Sequence, residues 1–117
     1  MTHRVLVVED DATLRKVIRM VLERDGYDVV ESPHGADAWT WMQGDMPSVA
    51  LVDMRMPVMD GGQLLTQMRG DTRTAGIPVV MMSGFGETSE SARADAVIAK
   101  PFDPQHLLEV LRRLVSR

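Results

Sequence analysis

Residues 49–61 read VALVDMRMPVMDG, an apolar run that ends in the carboxylate of Asp53 and gives way to a loop closed by glycine. A short, continuous apolar run bounded by turn residues is typical of a buried strand. Open α/β sheets carry their chemistry at the carboxyl ends of their strands. Asp53 is therefore the first candidate for a functional residue.

Three further apolar runs also end in polar residues. Residues 5–8 read VLVV and lead into Glu9, Asp10 and Asp11, while residues 96–99 read AVIA and lead into Lys100. Ser83 ends the apolar run of residues 77–83. If these strands are parallel, their carboxyl ends share one edge of the sheet. We therefore expect the acids, the lysine and the serine to share one crevice.

The chain alternates between strand and helix patterns. Strands are predicted at residues 4–9, 27–31, 48–53, 77–83 and 97–99, and helices at residues 12–24, 35–43, 63–69 and from residue 104 onward. Residues 84–95 are small and polar without an apolar stripe, so a fourth helix in that segment should be short or frayed. Strands that alternate with helices specify parallel pairing with right-handed crossovers. We predict an α/β fold built on a doubly wound, five-stranded parallel sheet.

Composition limits the classes of function. The chain has 117 residues, of which 44% are hydrophobic and 26% are charged, and these values are ordinary for one globular domain. No cysteine is present, so disulfide scaffolds and thiolate metal sites are excluded. The net charge of −4 argues against direct nucleic-acid binding. No signal-peptide pattern or membrane-length apolar stretch is found, and we expect a cytoplasmic protein that does not bind membranes.

The acidic cluster itself indicates a metal and a phosphate. Glu9, Asp10 and Asp53 would repel one another, so their arrangement is stable at neutral pH only if a cation offsets their charge. A site made of a few carboxylates suits Mg²⁺, which keeps coordination positions open for water and phosphate oxygens. Mg²⁺ is the predicted cofactor.

Taken together, these motifs resemble those of bacterial response-regulator receiver domains of the chemotaxis type. The likeness includes the acidic pair after the first strand, the strand-terminal aspartate before MPVMDG, the hydroxyl residue ending the fourth strand and the KPF sequence after the fifth. It covers the whole chain and implies a single receiver domain over residues 1–117. It also implies the flavodoxin-like strand order 2-1-3-4-5.

The resemblance implies a role for each strand-end residue. Asp53 would be the phosphoacceptor, and Lys100 would pair with a phosphoryl oxygen. Ser83 would donate its hydroxyl to the bound phosphoryl group. The Lys100-Pro101 peptide bond would be cis.

The same resemblance implies how the metal is held. Asp10 and Asp53 would bind Mg²⁺ directly, Glu9 would bind it through water, and the backbone carbonyl of Arg55 would supply another ligand.

The implied function is a phosphorylation-controlled signalling receiver. Its partners would be a sensor histidine kinase or phosphotransfer protein, which supplies the phosphoryl group, and a downstream protein target. A homodimer is a further expectation. The domain would not be an enzyme with a separate substrate, but would take part in its own phosphoryl transfer and hydrolysis.

Two positions depart from the family pattern. Receivers usually carry an aromatic residue or histidine three positions before the strand-five lysine, and this chain has Val97 there. The segment from Ser83 to Lys100 is also shorter than is usual.

The resemblance further implies that the side chains of Arg55 and Phe85 would flank the phosphoryl group. Their bulk would slow hydrolysis of the aspartyl phosphate.

Alternative functions stay open at this stage. A Mg²⁺-dependent phosphohydrolase with an aspartate nucleophile would resemble Asp-x-Asp, but Arg55 stands where the second carboxylate belongs. A flavin-binding protein would want a hydroxyl- and glycine-rich loop where the acidic run 9–11 stands. A degenerate receiver that acts only as a binding module is the third alternative.

Some polar and aromatic residues have structural explanations. Asp11 and Asp60 precede predicted helices and are expected to cap them. Trp39 and Trp41 lie two residues apart on one helix and cannot share a face, so we expect one to pack and the other to be exposed.

Overall fold

The computed structural model of the protein describes residues 2–84 and 93–116. In that part of the chain, strands alternate with helices as predicted up to residue 83, and the last helix follows the fifth strand. The strands are β1 (Arg4–Val8), β2 (Asp28–Ser32), β3 (Val49–Asp53), β4 (Val79–Ser83) and β5 (Ala96–Ala99), and the helices are α1 (Ala12–Arg24), α2 (Gly35–Met42), α3 (Gly61–Arg69) and α4 (Pro104–Val115).

The strands form one sheet in the order β2-β1-β3-β4-β5, and every adjacent pair is parallel. This confirms the predicted sheet and its order. The register aligns the strand ends, because Val8 lies beside Val52 and Ser83 lies beside Ala99. The residues that follow β1, β3 and β5 therefore emerge at one edge.

Alternate residues of the strands belong to two hydrophobic clusters, one on each face of the sheet. In β1, Val5 and Val7 point into the cluster covered by α1 and α4, while Leu6 and Val8 point into the cluster covered by α2 and α3. Burying an aliphatic side chain stabilises a fold by about 1.5–3 kcal/mol, so both faces stabilise the sheet. The core of β1 and β3 thus fixes the edge on which the polar residues stand.

Helix α3 begins two residues earlier than the sequence suggested. Asp60 accepts a hydrogen bond of 2.8 Å from the backbone of Gln63, and the Gln63 side chain accepts one of 2.9 Å from the backbone of Asp60. This capping box draws Gly61 and Gly62 into the first turn, where the sequence had placed the end of a loop. The predicted caps are confirmed for Asp60 and for Asp11, which accepts from two amides of α1.

Other boundaries differ from the predicted ones by one or two residues. β1 ends at Val8, β2 is displaced by one residue, β3 and β5 each begin one residue away from the expected position, β4 begins at Val79, and α2 ends at Met42. Composition shows that a strand or helix is present, but it does not show at which residue the backbone pairing begins or ends.

The prediction for the two tryptophans was wrong. Trp39 and Trp41 are both half-buried and both pack against the cluster beneath α2 and α3. The buried stripe of α2 runs through Ala38 and Met42, and the two indoles lie on its opposite flanks. Each ring therefore leans onto the same apolar surface from a different side.

Two other expectations concern a helix between β4 and β5 and the absence of a membrane-spanning segment. The short or frayed helix expected within residues 84–95 falls largely on residues 85–92, which lie outside the described residues. Among the helices that are described, none has the length and apolar character required to cross a membrane.

Candidate functional site

Three carboxylates meet at the carboxyl edge of the sheet, as the sequence predicted. Asp53 is the last residue of β3, and Glu9 and Asp10 follow β1 directly. Each offers an oxygen within 4.8 Å of the others. Glu9 is fully buried and Asp53 is 4% exposed, while Asp10 is open to solvent. The cluster thus has a buried floor and one accessible side.

Lys100 brings a positive charge to this cluster. Its Nζ lies 2.9 Å from Glu9 Oε1 and 3.1 Å from Asp53 Oδ1. The backbone amide of Lys100 donates to the carbonyl of Ser83 at 2.9 Å, which holds the loop after β5 against the end of β4. The Lys100-Pro101 bond is cis, as the family resemblance implied.

The protonation behaviour of the site follows from its burial. Burial raises the pKa of Glu9 to about 7, although the nearby ammonium of Lys100 and a hydrogen bond from the amide of Asp11 oppose the shift. The charge of Asp53 adds to it. Burial lowers the pKa of Lys100, but the contacts of its ammonium with the negative charges of Glu9 and Asp53 outweigh burial and raise it. The lysine therefore stays protonated at neutral pH.

The donor set fits a small divalent cation. Glu9 Oε1 is buried and accepts no well-directed hydrogen bond from the described residues, because Lys100 approaches it outside hydrogen-bond geometry. A buried carboxylate oxygen of this kind has unused capacity to bind a metal or a metal-bound water. With Asp10 and Asp53 beside it, the set consists of oxygen ligands only, as Mg²⁺ prefers.

The other predicted site residues lie around the carboxylates. Ser83 is the buried last residue of β4, the strand next to β3. Arg55 is exposed, and its backbone amide donates to Asp53 Oδ1 at 3.3 Å. Val97 is half-buried in β5 and packs against the cluster beneath α2 and α3. Phe85 lies outside the described residues.

Gly61 permits α3 to start directly against the end of β3. A Cβ at this position would lie 2.5 Å from the Asp53 carbonyl oxygen and 2.8 Å from Met81 Sδ. Both distances are far shorter than a van der Waals contact. Glycine is required here because the backbone that carries Asp53 is in the way.

The loop between β3 and α3 contains a strained turn at Val58. The Met59 amide donates to the Pro57 carbonyl at 2.9 Å, and Val58 between them has a φ of 69°. A hydrogen bond across one residue with positive φ defines the rare, strained form of the γ-turn. Val58 is also 98% exposed, so no burial of its side chain offsets that strain.

Sequence reasoning missed Arg15. Its Nη1 donates to the backbone carbonyl of Glu9 at 2.8 Å, and its Nε donates to Glu31 Oε1 at 2.9 Å. Arg19, one turn later on α1, donates to the other oxygen of Glu31. The available signal was the i, i+4 pair of arginines on α1 together with an acid near the end of the adjacent strand β2.

Comparisons with known proteins agree with this geometry. The sequence pattern of the response regulator receiver domain family matches residues 5–112. The chain is 37% identical over 115 residues to the chemotaxis protein CheY1 of Helicobacter pylori, covering 92% of this chain and 93% of that protein. It is 32% identical over 118 residues to the response regulator Rre1 of Synechocystis, covering 96% of this chain but only 51% of that protein. The chain thus spans about half the length of one relative and nearly all of another.

Solved structures show the same fold. The signal receiver domain of a signal transduction histidine kinase from Syntrophus aciditrophicus has a TM-score of 0.91 and 28% sequence identity, and the match covers 98% of this chain and 91% of that one. The sheet order, the strand-end acids with their lysine, and the match over nearly the full chain agree with one another. This protein therefore belongs to the response regulator receiver domain family, whose members are signalling receivers controlled by phosphorylation.

Proposed function

We propose that Asp53 is the residue that accepts the phosphoryl group. A carboxylate oxygen of Asp53 attacks the phosphorus of a phosphohistidine, the new P–O bond forms, and the P–N bond breaks with its electron pair returning to the imidazole nitrogen. The observation that carries this assignment is the position of Lys100 Nζ, 3.1 Å from Asp53 Oδ1. Of the three carboxylates, Asp53 combines burial, a lysine contact and a place at the end of the central strand.

Lys100 would neutralise charge on the transferred group. Phosphoryl transfer depends mainly on positioning and on electrostatic stabilisation, and an ammonium held beside the nucleophile supplies both. The ion pairs with Glu9 and Asp53 keep this ammonium at the site before the phosphoryl group arrives. After transfer, Lys100 would exchange its contact with Asp53 for one with a phosphoryl oxygen.

Glu9, Asp10 and Asp53 would hold Mg²⁺, with the backbone carbonyl of Arg55 as a further ligand. When bound, the cation would neutralise the acidic cluster and the incoming phosphoryl oxygens. Asp10 would complete the metal site from its accessible side, and Glu9 would supply its buried Oε1 from the opposite side. The accessible side leaves a path for the phosphodonor.

Ser83 would respond to phosphorylation by donating its hydroxyl to the phosphoryl group. Two backbone contacts support this role, because Ser83 O accepts from the amide of Lys100 and β4 lies beside β3. Phosphorylation adds about −1.5 to −2 charges, which draws nearby donors inward. Val97 offers no aromatic ring to fill the space behind such a movement, so the readout would differ from that of receivers with an aromatic residue there.

The donor would be a sensor histidine kinase or a phosphotransfer protein, and the output would be a changed interaction with a downstream protein. A homodimer, a single domain over residues 1–117 and a cytoplasmic location remain predictions. Slow hydrolysis of the aspartyl phosphate, with Arg55 flanking the phosphoryl group, is part of the same proposal.

The test is phosphorylation by acetyl phosphate in the presence of Mg²⁺, followed by intact mass spectrometry. We expect one phosphoryl adduct on the wild type and none on Asp53→Asn. Asp37→Asn is the matched control, because Asp37 is an exposed aspartate in the first turn of α2 that is not one of the three clustered carboxylates, and it should be modified like the wild type.

Other outcomes would replace the proposal with a different one. An adduct on Asp53→Asn would move the phosphoacceptor to another residue. If the wild type stays unmodified by acetyl phosphate and by a histidine kinase, the domain is a degenerate receiver that signals by binding. Continuous turnover of an unrelated phosphate ester would favour the phosphohydrolase.

A further inference from the structure

Arg15 links the acidic turn after β1 to strand β2. Its guanidinium donates to the Glu9 carbonyl at 2.8 Å and to Glu31 Oε1 at 2.9 Å, and its side chain is only 18% exposed. A planar guanidinium with two donors in use has a nearly fixed direction. The Glu9 carbonyl is therefore held by a group that cannot easily rotate away.

The backbone amide of Glu9 is also fixed to β2. The amide of Glu9 donates to the Ser32 carbonyl at 3.1 Å. Glu9 is thus held at its amide by a direct bond and at its carbonyl through Arg15. The bond to Ser32 fixes the peptide plane before Glu9 and Arg15 fixes the plane between Glu9 and Asp10, so the backbone at Glu9 has little freedom.

The orientation of that peptide plane determines where Asp10 points. In the described part of the chain, the Asp10 carboxylate makes no hydrogen bond or ion pair, yet one of its oxygens lies within 4.8 Å of those of Glu9 and Asp53. Because no such partner is found among the described residues, we attribute the direction of the carboxylate to the backbone that carries it. Arg15 supplies the carbonyl half of that constraint.

Glu31 keeps Arg15 in place. Its Oε1 accepts a hydrogen bond from Arg15 and its Oε2 accepts one from Arg19, and its side chain is 28% exposed. Charge-assisted hydrogen bonds in a partly dry environment are stronger than neutral ones and hold both partners in one geometry. The two arginines do not act alike, since only Arg15 also contacts the Glu9 carbonyl.

From these contacts we infer that Arg15 is a positioning residue for the metal site, which it serves by fixing the Glu9–Asp10 peptide. This inference rests on the proposed function, because it concerns the Mg²⁺ that the acids would hold. Removing a residue that orients metal ligands typically weakens metal affinity about 10- to 100-fold. Arg15 never touches the cation or the phosphoryl group in this role.

Titration of Mg²⁺ by isothermal calorimetry tests the inference. We expect Arg15→Met to raise the dissociation constant for Mg²⁺ about tenfold. Arg15→Lys should fail to restore it, because one ammonium cannot reproduce the two directed bonds. Arg19→Met is the matched control, since it removes one positive charge from Glu31 but no contact with Glu9, and it should change the constant by less than about twofold.

A kinetic measurement separates positioning from general loosening of the fold. With acetyl phosphate as donor, Arg15→Met should need more Mg²⁺ for half-maximal phosphorylation but reach the wild-type rate at saturation. Thermal unfolding of both arginine variants shows whether each is folded. If Arg15→Met does not fold, Glu31→Ala carries the test, and it should weaken Mg²⁺ binding in the same direction.

Three results would overturn the inference. The first is unchanged or tighter Mg²⁺ binding by the folded Arg15→Met or Glu31→Ala protein. The second is equal weakening by Arg15→Met and Arg19→Met. The third is a lower rate for Arg15→Met at saturating Mg²⁺. If the wild type itself binds no Mg²⁺, the proposed metal site is wrong, which is a different result from a failure of Arg15 alone.

Discussion

Lys100 Nζ lies 3.1 Å from Asp53 Oδ1, although β4 separates the two strands that carry these residues. The lysine side chain reaches past the end of β4 and also contacts Glu9, which follows β1. One ammonium therefore joins the ends of three strands. Its charge offsets the repulsion that the converging carboxylates would otherwise feel.

Lys100→Met should slow phosphorylation of Asp53 by acetyl phosphate about a hundredfold, because a preorganised donor at the reacting group is lost. It should also lower the free energy of unfolding at pH 7 by about 2–3 kcal/mol, because it leaves buried acids without a counter-charge. Intact mass spectrometry against time and urea unfolding measure the two effects. Lys16, the other lysine of the chain, lies exposed on α1, and Lys16→Met should change neither. Equal rates for both variants would exclude Lys100 from the reaction.

Glu31 should make stability depend on pH in the acid range. The hydrogen bond from Arg19, opposed by burial and aided by Arg15, lowers the pKa of Glu31. A carboxyl whose pKa is lower in the folded state stabilises the fold above its unfolded pKa, and this stabilisation is lost as pH falls through the folded value. Glu31→Gln should therefore cost about 1 kcal/mol at pH 7, and the difference from wild type should shrink below about pH 4. Urea unfolding across this range measures it, and a difference that stays constant with pH would contradict the prediction.

Val58→Gly should stabilise the protein by about 0.5–1 kcal/mol. Strain at a β-branched residue with positive φ destabilises the folded protein by about 1–3 kcal/mol, and glycine relieves it. The greater freedom of glycine in the unfolded chain offsets about 0.5–1 kcal/mol of this stabilisation. Val58→Ala is the control, since it loses almost no buried surface and still carries a Cβ at positive φ. In urea unfolding, Val58→Gly should have a larger free energy of unfolding than the wild type and Val58→Ala. Equal stability of the glycine and alanine variants would show that φ carries no measurable strain.

Gly61→Ala should lower the free energy of unfolding by about 2–3 kcal/mol, because the new Cβ must push aside the Asp53 carbonyl and Met81. Phosphorylation should slow as well, since the displaced backbone carries the acceptor. Gly44→Ala is the matched control, because a Cβ there meets nothing within 4 Å. Thermal unfolding and the rate with acetyl phosphate test both variants. A Gly61→Ala protein as stable as Gly44→Ala would mean that α3 can shift without cost.

Much of the fold and the positions of the site residues could be predicted from the sequence. Parallel strands must deliver their last residues to one edge, so an apolar run ending in Asp53 or leading into Lys100 also locates the residue in space. The caps at Asp11 and Asp60 were predictable for a similar reason, since a carboxylate before a helix has a local partner in the first-turn amides.

What the sequence could not predict depends on contacts between distant segments or on unfavourable local geometry. Helix periodicity shows that Arg15 and Arg19 share a face, but it does not show which backbone carbonyl lies opposite. Valine is among the least expected residues at positive φ, so the turn at Val58 contradicts its local preference. Gly61 resembled a loop residue because its reason for being glycine is the Asp53 backbone, which belongs to another element.

Strand β3 stands in the middle of the sheet, and all five of its residues are buried. Its amide hydrogens should therefore exchange with solvent deuterium only when the whole domain opens, whereas those of the peripheral helices exchange through smaller fluctuations. The acceptor carboxylate is thus attached to the part of the backbone that moves least. A change of charge at Asp53 must therefore be transmitted by movement of the surrounding loops, because the buried strand is held on all sides and cannot shift.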